Sequence, residues 1–431
     1  MRILLFGDGL GIPQLLSHIP QELICGIVVA VNRPQYHKHL RQIAAAADLP
    51  MAVQPLYTHK NYANFHSWVE EVNPDLIWVN SYSMIVRDDI LKIARLGGIN
   101  IHGALLPQYR GCNPTQWAVL NGETVTGVTL HEMTSGIDEG AIIDQMTVPI
   151  YFADTWQTIQ TRIYKATDKL IFKNLLTIIS GQWQATPQSP EKARYYRRRT
   201  PEDGLFDWSQ PVYKIYNLIR VLVSPHPGAF YLDDENNRVT LNHYMTPAEI
   251  TALKYSDVGK MYIHNEQIRL CPLSVIDTEL FQELDYKFFG SDAPDFLIHD
   301  TENKVFEFIV KRKDIIVFVI KDITSNLAIG YCQFMNINWI SQNAELKIEL
   351  DQSKFYDKKI KSESIKLLCD FGFKDLNLHR IYVHTLSNNN HDIGIYKENK
   401  FIEEGTLREA VHISKEFIDV VYMGLLKSEY K

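Results

Sequence analysis

The chain has 431 residues, 45% hydrophobic and 22% charged, which is apolar material enough for two or three packed domains. Its net charge of −7 lacks the basic excess of a protein whose main partner is a nucleic acid. Its five scattered cysteines show no Cys-x-x-Cys spacing, which offers neither a zinc site nor a disulfide framework and suits free thiols in a reducing cytoplasm. The N-terminal MRILLFGDGLG lacks the longer apolar core of a signal peptide, and no apolar run is long enough to span a membrane, so a cytoplasmic protein is expected.

In chain order, RILLFG, GIVVAV, LIWVNS and GINIH are expected strands, separated by helical stretches such as HKHLRQIAAAA and NFHSWVEEV. Strands alternating with helices predict a parallel, Rossmann-like α/β sheet covered on both faces. TGVTLHEM and AIIDQMTVPI are two further expected strands. A long helix is expected from about Thr155 to Ser180, ended by Gly181. The segment ARYYRRRTPEDGLFDW is basic, aromatic and turn-rich, and PVYKIYNLIRVL follows as a helix. Short strands in AFYLDDENNRVTL and GKMYIHNEQIRLCPL predict a small β-barrel or meander. Beyond Asp277 the composition shifts towards Lys, Ile, Asn and Phe. KDIIVFVI, LAIGYCQFM and AELKIEL are expected strands, SESIKLLCDFGFKDL a helix, RIYVHTL a strand, DIGIYKENKF a helix and turn, and EFIDVVYMGLL a last strand. The domains expected are 1–190, 191–277 and 278–431.

Within GGINIHGALLPQYRG, Asn100 and His102 stand two residues apart at the end of an expected strand. Alternation puts both side chains on one side. In open α/β sheets the crevice outside the carboxyl ends of the strands is where ligands bind. Asp138 follows in the Gly-flanked loop TSGIDEGAII. Together the three suit acyl transfer to an amine: a neutral imidazole takes the proton, a carboxylate orients it, and an amide N–H meets the developing oxyanion. Spacing alone leaves capping and Asx-turn roles open. GDGLG, from Gly7 to Gly11, departs from the spacing of a dinucleotide fingerprint and reads as a βα turn lining the cleft.

The stretch NIHGALLPQYRGCNPTQWAVLNGETVTGVTLHEMTSGIDEGAII resembles the signature of the formyltetrahydrofolate-dependent formyltransferases. The shared pattern is Asn-x-His, Leu-Pro, Tyr-Arg-Gly, Pro, Trp, Gly-Val-Thr, His and Asp-x-Gly. Ala104 departs from it, standing where many relatives carry Ser. The resemblance covers about residues 1–277. It implies Asn100, His102 and Asp138 as catalytic triad and 10-formyltetrahydrofolate as donor. The pterin would lie near Tyr82, Met84 and Gly140. On the substrate side it implies Tyr109, Arg110, Trp117 and Arg198, with Arg194, Arg197 and Arg199 able to meet a pyrophosphate. The segment RRRTPEDGLFDW and the later PHPGAF are similar to sugar-nucleotide formyltransferases, which implies a nucleotide-linked amino deoxysugar, dTDP-linked, as partner and substrate for surface polysaccharide such as O-antigen. A methionyl-tRNA substrate is the less favoured alternative, since the chain is mildly acidic. Relatives imply a homodimer.

Residues 280–431 resemble the GNAT acetyltransferases through LAIGYCQFMNI, AELKIEL, FGFKDLNLHRIYVHTLSNNN and IYKENKFIEEGTLRE. The resemblance implies an α+β domain using acetyl-CoA, with Tyr396 as general acid and Glu345 or Glu349 as base. It also departs from the family: Asp357, Lys359 and Lys361 stand where a glycine-rich loop would bring backbone N–H groups to a pyrophosphate. A domain that only binds a sugar nucleotide, or only supports assembly, is the competing expectation.

Overall fold

The computed structural model describes residues 1–273, 312–350, 358–413 and 416–430. They form two compact units, Met1–Asp203 and Gly204–Lys431.

The first unit runs β1 (Ile3–Gly7), α1 (Gly11–Leu16), β2 (Ile24–Ala30), α2 (Pro34–Ala46), β3 (Met51–Gln54), α3 (Tyr62–Val72), β4 (Leu76–Asn80), α4 (Asp88–Leu91), β5 (Gly98–His102), β6 (Arg110–Gly111), α5 (Pro114–Leu120), β7 (Val125–Glu132), β8 (Ile142–Pro149), α6 (Trp156–Ile179) and β9 (Tyr195–Tyr196). Its seven-stranded sheet has the order β3-β2-β1-β4-β5-β7-β8. The first five strands are parallel and the last two antiparallel. β1 and β4 are buried throughout, as expected of strands covered on both faces. Phe6, Val28, Val69, Ile77 and Val79 share one apolar core. β6 and β9 pair apart from the main sheet.

The strand order reverses between β1 and β4, which places a crevice at their carboxyl ends. The GDGLG turn ties that crevice together. Asp8 accepts hydrogen bonds from the Ala30 and Ser83 N–H groups (3.1 and 3.0 Å) and from the Ser83 hydroxyl (2.7 Å). A Cβ on Gly11 would overlap the Asn80 carbonyl oxygen, so the glycine lets α1 close on β4. The expected long helix is α6, with Thr155 at its start and Gly181, at φ +71°, beyond its end. β3 was not expected, because MAVQ is too short for an alternation to register.

The second unit runs α7 (Val212–Leu222), β10 (Ala229–Leu232), β11 (Arg238–Leu241), α8 (Pro247–Lys254), β12 (Ile263–His264), β13 (Ile268–Pro272), β14 (Ile316–Asp322), β15 (Ala328–Asn338), β16 (Asn343–Leu350), α9 (Lys358–Asp370), β17 (Arg380–Leu386), α10 (Asn390–Glu398), β18 (Ile402–Ile413) and β19 (Glu416–Leu426). Where the sequence suggested a barrel or meander, β10 and β11 make a two-stranded hairpin. β12 and β13 instead join an eight-stranded sheet, β12-β13-β14-β15-β16-β17-β19-β18. Ile268 and Leu270 are fully buried there, and this burial outweighs closure onto the short hairpin. β16 and β17 are the sheet's one parallel pair among the described residues. One face, with Phe334, Leu346 and Ile381, packs on α9 and the turn after it, where Phe371 meets Phe318 and Phe334. The charged edge strand β18 carries no apolar alternation and was missed for that reason.

Candidate functional site

β5 is held between β4 and β7, with Asn100 opposite His131 and His102 opposite Thr129. The strand ends at the crevice with both polar side chains on one side. The loop after β7 brings Asp138 to them, in a left-handed conformation at φ +54°. Asp138 Oδ2 lies 3.5 Å from His102 Nδ1 and accepts the Gly111 N–H at 2.8 Å. Its Oδ1 faces Asn100 Nδ2 at 3.5 Å and His131 Nε2 at 3.6 Å. The three residues singled out from sequence spacing thus converge.

His131 completes the cluster and was legible only as a letter of the resembling pattern. Its Nδ1–H donates to the Glu132 carbonyl at 2.7 Å, which leaves Nε2 to accept from Asn100 Nδ2 at 3.1 Å. The Asn100 amide is thereby turned with its nitrogen towards the cluster.

His102 is buried, and its Nε2 meets the Tyr109 carbonyl oxygen at 2.8 Å. That bond assigns the proton to Nε2 and leaves Nδ1, on the Asp138 side, as the basic atom. Burial is the strongest influence on the ring and lowers its pKa; Asp138 works against this, and His131 adds to it. The imidazole is therefore neutral at neutral pH. For Asp138 burial pushes upwards, but the neighbouring His102 and His131 rings and the Gly111 N–H prevail and hold it well below the usual carboxylate range.

Around this centre the structure sorts the remaining expected residues. Tyr82 and Met84 are half-buried beyond β4, and the Tyr82 hydroxyl donates to Gln54 at 2.7 Å. Gly140 packs so tightly that a Cβ would overlap the Glu132 carbonyl oxygen, and its own carbonyl accepts from Gln188 at 2.7 Å. Tyr109 and Arg110, expected on the substrate side, are instead buried: Tyr109 stacks on Tyr196 and donates to Glu123 at 2.7 Å. Arg110 donates to Gln188 at 3.1 and 2.8 Å and to the Tyr195 hydroxyl at 2.6 Å. Their polar ends hold the loop around His102, because the β6–β9 pairing encloses them. Gln188, which grips Arg110 and the Asp138 and Gly140 carbonyls, carried no signal in the sequence.

The arginine segment lies along Trp117, whose indole N–H donates to the Arg197 carbonyl at 3.0 Å. Arg197 pairs with Asp203, and the Arg194 guanidinium donates to the Glu191 and Ala193 carbonyls. Exposed Arg198 reaches the Ser83 carbonyl at 3.2 Å, beside Tyr82 and Met84. Arg199 differs: its guanidinium lies over the Trp117 ring, and its buried Nε and Nη1 have no hydrogen-bond partner among the described residues. Burial lowers its pKa, with Asp203 opposing.

In the second unit, Tyr396 of α10 is buried. Burial pushes its pKa up, and the charges of Asp392, Glu349 and Glu345 add to the shift. Nearby, β16 and β17 pair only from Asn343↔Arg380 to Glu345↔Tyr382, although both strands run on. Among the described residues, the backbone groups beyond that point have no ladder partner on this side. Lys361, expected to face a pyrophosphate, is buried, and its ammonium is neutralised by Asp392 at 2.6 Å. Lys359 is exposed, and Asp357 lies outside the described residues. Among the described residues no His, Cys, Asp and Glu cluster could hold a metal, and no helix is long and apolar enough to cross a membrane.

Residues 1–175 match the family described as Formyl transferase, 198–270 the Formyl transferase C-terminal domain, and 285–402 the Acetyltransferase (GNAT) domain. The chain is 39% identical over 205 residues to the bifunctional polymyxin resistance protein ArnA of Wigglesworthia glossinidia brevipalpis. That match takes in 46% of this chain and 31% of the relative's own length. A sugar N-formyltransferase from Shewanella sp FDAARGOS_354 aligns over 57% of this chain and 97% of its own, at 18% identity and TM-score 0.47. A spermidine N-acetyltransferase from Vibrio cholerae aligns over 38% of this chain and 99% of its own, at 26% identity and TM-score 0.34. Residues 1–175 thus carry a formyl transferase domain, 198–270 a formyl transferase C-terminal domain, and 285–402 an acetyltransferase (GNAT) domain.

Proposed function

We propose that this protein moves a formyl group from 10-formyltetrahydrofolate to the amine of a nucleotide-linked amino deoxysugar, dTDP-linked and destined for surface polysaccharide, acting in the cytoplasm as a homodimer. The observation that carries this reading is the convergence of Asn100, neutral buried His102 and ionised Asp138 at the carboxyl end of β5. The folate supplies a formyl carbon open to attack by an amine. Asn100 Nδ2 donates to the oxygen on which negative charge develops. His102 Nδ1 takes the proton that the amine loses as its C–N bond forms, Asp138 stabilises the resulting imidazolium, and the imidazolium returns the proton to the folate nitrogen as the old bond between that nitrogen and the formyl carbon breaks. The Nε2–H bond to Tyr109 keeps the ring from turning.

A phosphate-bearing acceptor is supported by Arg199, a guanidinium with two buried, unbonded nitrogens in an arginine segment lying along Trp117. Phosphate oxygens accept hydrogen bonds from such donors. Tyr82 and Met84, at the crevice with Arg198 behind them, suit the pterin side. The test is mass spectrometry of products from a panel of dTDP- and UDP-linked amino deoxysugars offered with 10-formyltetrahydrofolate. A product heavier by one formyl group is expected with a dTDP sugar; no formylated sugar nucleotide from the panel would overturn the reading.

A second activity, acetyl transfer from acetyl-CoA by the C-terminal domain, is favoured by the β16–β17 wedge near the buried Tyr396 phenol. Adding acetyl-CoA to the same panel tests it.

A further inference from the structure

The polar face of the C-terminal sheet holds a cluster that no comparison assigns. Register puts Glu345 of β16 beside Tyr382 of β17, and His384 follows two residues on along the same face. His384 stands opposite Tyr422 of β19, and their rings stack at 5.3 Å between centroids. Glu345 is buried, and both its oxygens are engaged. Oε1 accepts from His384 Nδ1 at 3.0 Å and Oε2 from Asn336 Nδ2 at 2.9 Å. Asn336 reaches it because the β15–β16 register shifts there and Asn336 takes a left-handed conformation, φ +52°. A strand residue turned out of register to bond a buried carboxylate fixes that carboxylate's orientation. Fixed in this way, Glu345 is a poor base but a good orienter.

The His384 ring is the group it orients. With Nδ1–H donated to Glu345, the lone pair lies on Nε2, which has no partner among the described residues. The side chain is 42% exposed, whereas Glu345 is 8% exposed. Other titratable groups facing the pair are Lys347 on β16, Tyr382 on β17 and Tyr422 on β19. The pair sits where the β16–β17 ladder stops, at the mouth of the wedge. Glu345 is also near enough for its charge to act on the Tyr396 phenol.

We infer that His384, oriented by Glu345, is the base of a second acyl-transfer centre whose acceptor is a primary amine. This rests on the reading of the C-terminal domain as an acetyl-CoA-dependent transferase and is independent of the formyl centre. The amine nitrogen attacks the thioester carbonyl carbon, and a C–N bond replaces the C–S bond. Nε2 of His384 takes the proton the amine loses and passes it to solvent. The Tyr396 hydroxyl protonates the departing thiolate and is reprotonated by water. Amide and free thiol are the products.

The test uses the full chain with acetyl-CoA and four amines in turn: butylamine, putrescine, glucosamine and dTDP-4-amino-4,6-dideoxyglucose. Thiol release is read by a disulfide reagent. Wild-type protein is expected to release thiol with at least one of them. His384→Gln should lower kcat by about 100-fold or more with KM for the amine little changed. Circular dichroism and thermal unfolding check that the variant folds. Glu345→Gln should lower kcat with KM for the amine little changed, and Glu345→Asp should restore part of it, a rescue that a merely packing role for Glu345 would not produce. Release that survives His384→Gln, or a kcat unmoved by Glu345→Gln, overturns the inference alone. No release by the wild type with any of the four overturns the acetyl reading and this inference with it.

Discussion

The imidazole Nε2 of His102 lies 2.8 Å from the carbonyl oxygen of Tyr109, so the residue holding the ring is a backbone group of the loop that follows it. That bond sets the tautomer, and the tautomer makes Nδ1 the atom that takes a proton. His102→Gln should therefore lower kcat for formyl transfer by about 100- to 10,000-fold while leaving the fold in place. Steady-state kinetics with a circular dichroism spectrum on the same sample decide it; wild-type kcat would remove His102 as the base.

His131 holds the Asn100 amide from behind, through the 3.1 Å bond to Nδ2. His131→Phe keeps the volume and deletes the acceptor, at a cost of about 1–3 kcal/mol for the buried groups left unbonded. Formyl transfer should slow by about tenfold or more through kcat, with the KM values held. A change confined to KM would assign His131 to binding instead.

Acid should inactivate and destabilise the first domain for one reason. His102 binds its proton more weakly in the folded chain than the ordinary 6.5, chiefly because it is buried. The unfolded chain therefore takes up this proton first. The stability contributed is present above pH 6.5 and lost as pH falls from there through the folded value. Asp138, held below its ordinary 3.8, contributes stability that is lost only further down, as pH falls below that value. Melting temperatures measured from pH 8 to pH 5 should fall below pH 6.5, and His102→Gln should flatten that fall. An equal fall in the variant would assign it to other groups.

Arg199 should act on the acceptor and not on the chemistry. Arg199→Ala is expected to raise KM for the nucleotide sugar about tenfold or more, since a hydrogen bond to a charged group is worth about 1.5–3 kcal/mol, with kcat close to wild type. An unchanged KM would leave the buried guanidinium without a phosphate to meet.

Gly140 tests how closely the Asp138 loop must fit. A Cβ there meets the Glu132 carbonyl oxygen, a backbone atom that cannot yield as a flexible side chain would. Gly140→Ala should cost about 2–4 kcal/mol and displace Asp138 from His102. Thermal unfolding and kcat should fall together; wild-type values for both would show that the loop can shift at no cost.

The sequence by itself determined the α/β class of the first domain, the paired placement of Asn100 and His102, and the kind of chemistry they suit. Those features rest on local periodicity and on residue types, both legible one segment at a time. Tertiary structure decided how the groups are oriented. Asp138 meets His102 across more than thirty residues of intervening chain, His131 turns the Asn100 amide from the neighbouring strand, and β6–β9 pairing buries Arg110, which a linear reading sends to the substrate. The same holds in the C-terminal sheet. Glu345 reads as a free base until a bulge in β15 and the parallel approach of β17 place Asn336 and His384 on its two oxygens. Hydrogen-bond partners far apart in the chain depend on register and strand order, and neither is written in the periodicity of a single segment.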